Sequence, residues 1–245
     1  MKPSKLLAFF TGVFTALLVL SASIAVPLLC RPFYYAHIEA LNLNGYTGLS
    51  VEQIREAFNQ VMDYCLGLRP DFAAGVLPFS ESGASHFADV RVLFLLDLWV
   101  AVISLAALVI LFIISRRKKL TPAPLLGHGP GFWAAIGLGG LFLIVGGLAS
   151  TNFERAFVVF HSLFFPGKTN WLFDWRTDPI ILLLPEDFFR NCAILILTLL
   201  IFWCVILIAA DLLAQRRRKK LAPPPASPCS GCPSGGDCSG CSGCS

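Results

Sequence analysis

Two of the four histidines in this chain, His86 and His161, sit where a histidine must find its own partner. His161 lies inside Phe157-Val158-Val159-Phe160-His161-Ser162-Leu163-Phe164-Phe165, a run in which bulk water cannot serve its ring. His86 stands just ahead of a long apolar stretch. On one helical face it is followed by Asp89, Val90, Leu93 and Asp97 at i+3, i+4, i+7 and i+11. An imidazole titrates near pH 6.5 and both takes and gives protons close to neutrality, so two of them suit general acid–base chemistry. Asp89 is expected to orient His86 through one ring nitrogen. Glu154, two helical turns before His161, is expected to orient that ring. Asp97 would lie at membrane depth and wants a partner, with Arg91, Arg155 or a wet pocket as candidates. The same pattern also fits a histidine and an acid that merely tie an outer loop to a span. His37, after Tyr34 and Tyr35, reads as an interface residue, and His128, between two glycines, as a solvated one.

What is absent narrows the chemistry. The chain has no Gly-x-Ser-x-Gly elbow, no His-Glu-x-x-His pair and no Walker loop. No nucleophile stands beside a base. A reaction run by these histidines must therefore take its nucleophile from the substrate.

The elements that position these residues are membrane helices. Of 245 residues, 56% are hydrophobic and only 14% charged, and mean hydropathy is +0.72. Soluble domains carry roughly 25% charged residues. A chain this apolar cannot clothe itself as a water-soluble globule, and a nucleic-acid binder built on a basic surface is excluded. Four stretches are long enough to span a bilayer, near residues 6–29, 92–115, 132–150 and 192–210. The first could also be a secretory signal, since Lys2 and Lys5 precede it. Its length and the lack of a clean Ala-x-Ala site favour retention as a span. The expected fold is an all-α membrane protein of four spans, with residues 1–221 as one domain and 222–245 as a tail.

Basic residues set the orientation. With four spans, Lys2, Lys5, Arg116 to Lys119 and Arg216 to Lys220 share one side, 11 of the 19 basic residues, accompanied there only by Asp211 and Asp237. That side carries +9 and the other −5, together the net +4. The termini and the 116–131 loop are expected in the cytoplasm. Segments 30–91 and 151–191, with both histidines of interest, are expected outside. In the first of these, Ser50 and Gln53 form a capping-box pattern that predicts a helix, with Val51, Ile54, Phe58, Val61, Met62 and Cys65 at helical spacing. Gly67 and Pro70 close it. The second holds two short apolar runs with Trp171, Phe173 and Trp175 between them, an interfacial or partly re-entrant pattern that points to a pocket open to the outer leaflet. The glycines at 137, 139, 140, 146 and 147 are expected to allow close helix packing.

Two blocks of residues carry a family resemblance. Phe79-Ser80-Glu81, then His86 and Asp89-Val90, resembles one block of the bacterial lipoprotein intramolecular transacylases (Lit). Phe160-His161-Ser162-Leu163-Phe164-Phe165, Trp171, Phe173-Asp174, Asp178-Pro179 and Pro185-Glu186-Asp187-Phe188-Phe189 resembles the other. The similarity covers residues 5 to 215. The family's usual Arg-Glu after the Phe-Ser pair appears here as Glu81 and Ser82. The resemblance implies an integral protein of the bacterial cytoplasmic membrane. Its implied substrate is a diacylated lipoprotein whose sn-2 acyl chain moves to the amine of the N-terminal cysteine, leaving the lyso form. It implies no cofactor and no nucleic-acid partner, with membrane lipids as neighbours. For that reaction the residues themselves suggest His86 and His161 as the general acid–base pair, with Asp89 and Glu154 as orienters and Glu81 of the first block as a further supporting candidate. The rival classes are a non-enzymatic membrane sensor or transporter accessory module, and a membrane lipid hydrolase.

Nine cysteines divide unevenly. Cys30 and Cys65 both fall on the outer side, where a disulfide is possible. Five crowd the tail as Cys229, Cys232, Cys238, Cys241 and Cys244. Two Cys-x-x-Cys pairs are a ligand pattern for a soft metal ion. The Gly/Ser-rich spacers equally fit a low-complexity tail.

Overall fold

The computed structural model describes residues 1–221, so the domain boundary expected at 221/222 and the tail cysteines lie at or beyond the edge of the described residues. The elements run β1 (Lys2–Ser4), α1 (Lys5–Leu29), α2 (Arg31–Ala40), α3 (Leu43–Thr47), α4 (Val51–Cys65), α5 (Glu81–Arg117), β2 (Leu120–Pro122), α6 (Pro130–Thr151), α7 (Phe153–Phe164), α8 (Ile180–Leu183) and α9 (Glu186–Leu221). Four helices, α1, α5, α6 and α9, are long and apolar enough to cross a membrane. α1 packs against the other three, so the stretch weighed against a signal peptide is central to the bundle.

Both chain ends described and the 118–131 loop gather at one end of the bundle. There β1 pairs in parallel with β2, Lys2 opposite Leu120. The loop is clamped to α9 through Asp211, which accepts from His128 Nδ1 at 2.7 Å and from the Gly129 amide at 2.9 Å. His128 also stacks on Phe132 at 3.8 Å. It is therefore a structural hydrogen-bond partner of Asp211, and not the solvated residue expected from its flanking glycines.

The opposite end holds a small helical cap. α4 starts as its sequence predicts: Ser50 Oγ accepts from the Gln53 amide at 3.2 Å and Gln53 Oε1 from the Ser50 amide at 2.9 Å. Its apolar face, Ile54, Ala57, Phe58, Val61 and Cys65, is buried with Tyr34 and Ile38 of α2, Ile180 and Leu183 of α8 and Phe188 of α9. Tyr34 stacks on Phe58 at 3.6 Å and donates to the Leu183 carbonyl at 2.8 Å, which ties α2, α4 and α8 together. His37 donates to the Phe33 carbonyl at 2.7 Å and packs on Phe33 and Phe188, in keeping with an interface residue. Cys30 and Cys65 are free thiols, the first exposed and the second buried, so the possible disulfide does not form.

α5 is the backbone of the design. Its 37 residues extend about 55 Å, against roughly 30 Å of hydrocarbon. Its first turns therefore stand clear of the apolar stretch, and His86 lies on them. Deeper on the same helix, Asp97 lies against Ser21 of α1, with Oδ2 unpartnered. Neither arginine proposed for it reaches it: Arg91 turns to the Arg69 carbonyl and the Tyr64 ring, and Arg155 is exposed on α7. Of the five α6 glycines expected to allow close packing, two do that work. A Cβ at Gly139 would touch Cys204 Sγ at 3.4 Å, and one at Gly146 would collide with Leu197 at 2.7 Å, both on α9. The other three face open space.

Candidate active site

The first turn of α5 is held by a buried carboxylate. Ser80 caps the helix, accepting from the Gly83 amide at 3.0 Å. Asp178, only 4% exposed, accepts from the Ser80 amide and from Ser80 Oγ, both at 2.8 Å, and from Thr177 Oγ1 at 2.9 Å. Gly83 faces this carboxylate so closely that any Cβ there would collide with it. The 174–179 loop therefore locks the start of α5 two turns ahead of His86's ring. Glu81, exposed at the first position of the helix, takes no part.

α7 supplies the second imidazole. Asn152 caps it by accepting from the Arg155 amide at 2.8 Å. His161, in its last turn, sits against His86 with ring centroids 5.9 Å apart and ring planes inclined by 34°. The two rings are 5% and 8% exposed and are enclosed by aromatics. Phe165 and Phe173 lie 4.9 and 5.4 Å from His86, and Phe157 and Trp171 lie 4.1 and 4.8 Å from His161. The structure thus joins residues 75 positions apart in sequence into one box.

The hydrogen bonds set the tautomer of one ring. His161 Nδ1 lies 2.8 Å from the Phe157 carbonyl, which can only accept. The proton is on Nδ1, and the neutral ring's lone pair is on Nε2. Glu154 is exposed and has no part in this; the backbone one turn away outcompetes it. His86 Nδ1 is buried and unpartnered. Asp89 makes no hydrogen bond to it and turns instead to the loop after α7: Oδ1 accepts from Lys168 Nζ at 2.5 Å and Oδ2 from Asn170 Nδ2 at 3.1 Å. The cation is the stronger partner. Asn170 Nδ2 also reaches Ser85 Oγ at 3.3 Å, so the loop after α7 is clasped to α5 on both sides of His86.

Burial disfavours the charged form of both imidazoles. It pushes His86 down to about 4, helped by the neighbouring His161 and opposed by Asp89. Burial likewise lowers His161, against the pull of the Phe157 carbonyl. Asp89 ends below the ordinary carboxylate range: its burial is outweighed by the hydrogen bonds from Lys168 and Asn170. At neutral pH the site therefore holds two uncharged imidazoles beside a Lys–Asp pair.

Four site residues escaped the sequence reading of roles: Ser80, Lys168, Asn170 and Asp178. Ser80 carries a legible cap signal three residues before Gly83. Asp178 lies 98 positions from its partner, and no local pattern announces that contact. Among the described residues no three His, Cys, Asp or Glu side chains converge as a metal site. The cysteine ligands considered for a soft metal lie in the undescribed tail.

No curated protein sequence matches the chain. Its fold is similar to solved structures of the membrane integral lipoprotein intramolecular transacylase Lit from Bacillus cereus. One superposes with a TM-score of 0.73 at 22% identity, covering 89% of this chain and 97% of the other. A variant of that protein with one histidine changed to arginine superposes with a TM-score of 0.71 at 22% identity, covering 88% and 93%. A variant with a histidine-to-alanine change superposes with 0.72 at 22%, covering 88% and 94%. The model of the family described as lipoprotein intramolecular transacylase Lit matches residues 9–189. With its four membrane-crossing helices, the chain belongs to the lipoprotein intramolecular transacylase family.

Proposed function

We propose that this membrane protein moves the sn-2 acyl chain of a diacylglyceryl lipoprotein onto the α-amine of its N-terminal cysteine, with His86 and His161 as general acid and base. The observation that carries the mechanism is the pair of buried, neutral imidazoles 5.9 Å apart. Among the described residues neither is hydrogen-bonded to a serine or cysteine side chain, so no enzyme nucleophile is primed. The substrate amine fills that role. It must lose a proton, and the glyceryl oxygen must regain one. His161, with its Nε2 lone pair, is suited to accept first. Amine and ester belong to one molecule, so holding them in attack geometry supplies much of the rate, up to ~7–11 kcal/mol. The aromatic box excludes water that would otherwise hydrolyse the ester.

The basic end of the bundle belongs in the cytoplasm by the positive-inside rule, which turns the histidine site outward. An apolar groove of about 730 Å³ between α1 and α5, lined by Ala22, Ala25, Val26, Leu98, Ala101 and Val102, supports a lipid substrate.

The test expresses His86→Ala and His161→Ala separately in bacteria lacking their own enzyme and reads a lipoprotein N-terminus by mass spectrometry. Each variant is expected to leave the diacyl form with a free amine. Normal lyso product from either would end the pair mechanism. Release of free fatty acid by the unaltered protein would make it a hydrolase.

A further inference from the structure

The histidines account for the protons but leave one atom unserved. When the amine adds to the ester carbonyl, the carbonyl oxygen becomes an anion and needs donors. His161 Nδ1–H is already given to the Phe157 carbonyl. In the turn after α7, Pro166 has no N–H and the Lys168 amide is bonded to the Phe165 carbonyl at 3.1 Å, which leaves only the uncharged Gly167 amide as a backbone donor there.

The side chain of Lys168 is different. Its ammonium has three N–H donors and uses one on Asp89. Asp89 is on the face of α5 that carries His86, one turn further along, so the cation is pinned beside that histidine. Lys168 is 49% exposed, hence open to an incoming ester. Its anchor is itself braced. Asn170 must present Nδ2 to Asp89, because the flipped amide would set two oxygens 3.1 Å apart. The positive charge is felt at the site, where it helps to hold His86 uncharged.

We propose that Lys168 donates to the oxyanion of the tetrahedral intermediate and that Asp89 is its positioning residue. The assignment rests on the transacylase reading. The amine lone pair forms the N–C bond while the carbonyl π pair moves to oxygen, where a Lys168 N–H meets it. One amine proton passes to a histidine. The oxygen pair then re-forms C=O, the bond to the sn-2 glyceryl oxygen breaks, and the histidine proton goes to that oxygen. One hydrogen has moved from nitrogen to oxygen, and nothing else is consumed.

The experiment uses purified full-length protein and a synthetic diacylglyceryl lipopeptide. Lys168→Met is expected to lower kcat by about 10²–10³ with little change in KM, the usual loss for one oxyanion donor. Lys168→Arg is expected to restore most of it. Two inhibitors separate chemistry from folding: an sn-2 ether lipopeptide that mimics the ground state, and an sn-2 phosphonate that is tetrahedral and anionic. Lys168→Met should weaken the phosphonate about 100-fold and the ether hardly at all. Equal weakening of both, or of neither, overturns the assignment. Asp89→Asn is expected to lower kcat in the unaltered background and to add nothing to Lys168→Met; additive losses would show that Asp89 does not act through the lysine. If the unaltered protein converts no lipopeptide, the transacylase reading itself falls. If it converts and Lys168→Met equals it, only the lysine assignment does.

Discussion

His128 and the His86–His161 pair sit at opposite ends of the same bundle and are treated in opposite ways. His128 is half-buried and its Nδ1 is engaged by a side chain from another helix: it donates to Asp211, whose carboxylate also takes the Gly129 amide and Gln215 Nε2, and the ring stacks on Phe132. His86 is buried with Nδ1 left open, and His161 beside it spends Nδ1 on its own helix backbone. Buried polar atoms without partners are uncommon and call for an explanation. A satisfied histidine holds structure together, whereas an unsatisfied one in an aromatic box is poised for something that arrives.

The sharpest way to break this contrast is to leave both paired rings intact and loosen what holds one of them. Asp178→Ala removes three hydrogen bonds and strands the Ser80 amide. It is expected to destabilise the site end by about 1–3 kcal/mol. It should also cut transfer by roughly 10-fold or more, since small displacements of a catalytic group are costly. Thermal unfolding in detergent and the lipopeptide assay together check this; an unchanged rate would mean that the start of α5 does not position His86.

The next effect is on pH. Both imidazoles titrate below the ordinary histidine value, so as pH falls the unfolded chain takes up protons before the folded one does. The stability due to the neutral rings is fully present above the unfolded value of about 6.5 and is lost progressively as pH falls toward about 4. The proton-accepting form persists over the same window. Followed by imidazole NMR in the absence of substrate, both rings are therefore expected to titrate below pH ~6.5, and titration at or above that value would contradict the burial argument.

The smallest effects come from the other end and from the exposed acids. His128→Ala is expected to cost about 1 kcal/mol of stability while leaving the transfer rate unchanged. Glu154→Ala should change neither, because its side chain is exposed and outside the site. A loss of activity in His128→Ala with normal stability would mean that the two ends are coupled.

Much of this was legible along the chain. Spans are read from run length because bilayer thickness imposes it. The start of α4 follows from Ser50 and Gln53 because capping is a contact across three residues. The histidine pair was approachable because ionisable groups among apolar residues are costly enough to stand out. The supporting roles were not. Asp89 and Glu154 were placed by helical spacing, yet Asp89 went to a lysine 79 positions away and Glu154 lost its histidine to the Phe157 carbonyl.

What the sequence by itself determined is therefore what local physics governs: four membrane-crossing helices, a basic end, a capped amphipathic helix and two histidines needing partners. What only the tertiary structure decided is which donor meets which acceptor. Lys168 with Asp89, Asp178 with Ser80 and His128 with Asp211 each join separate elements. Each carboxylate has several cations and amides in the chain to choose from, and only packing of the helices brings one within about 3 Å.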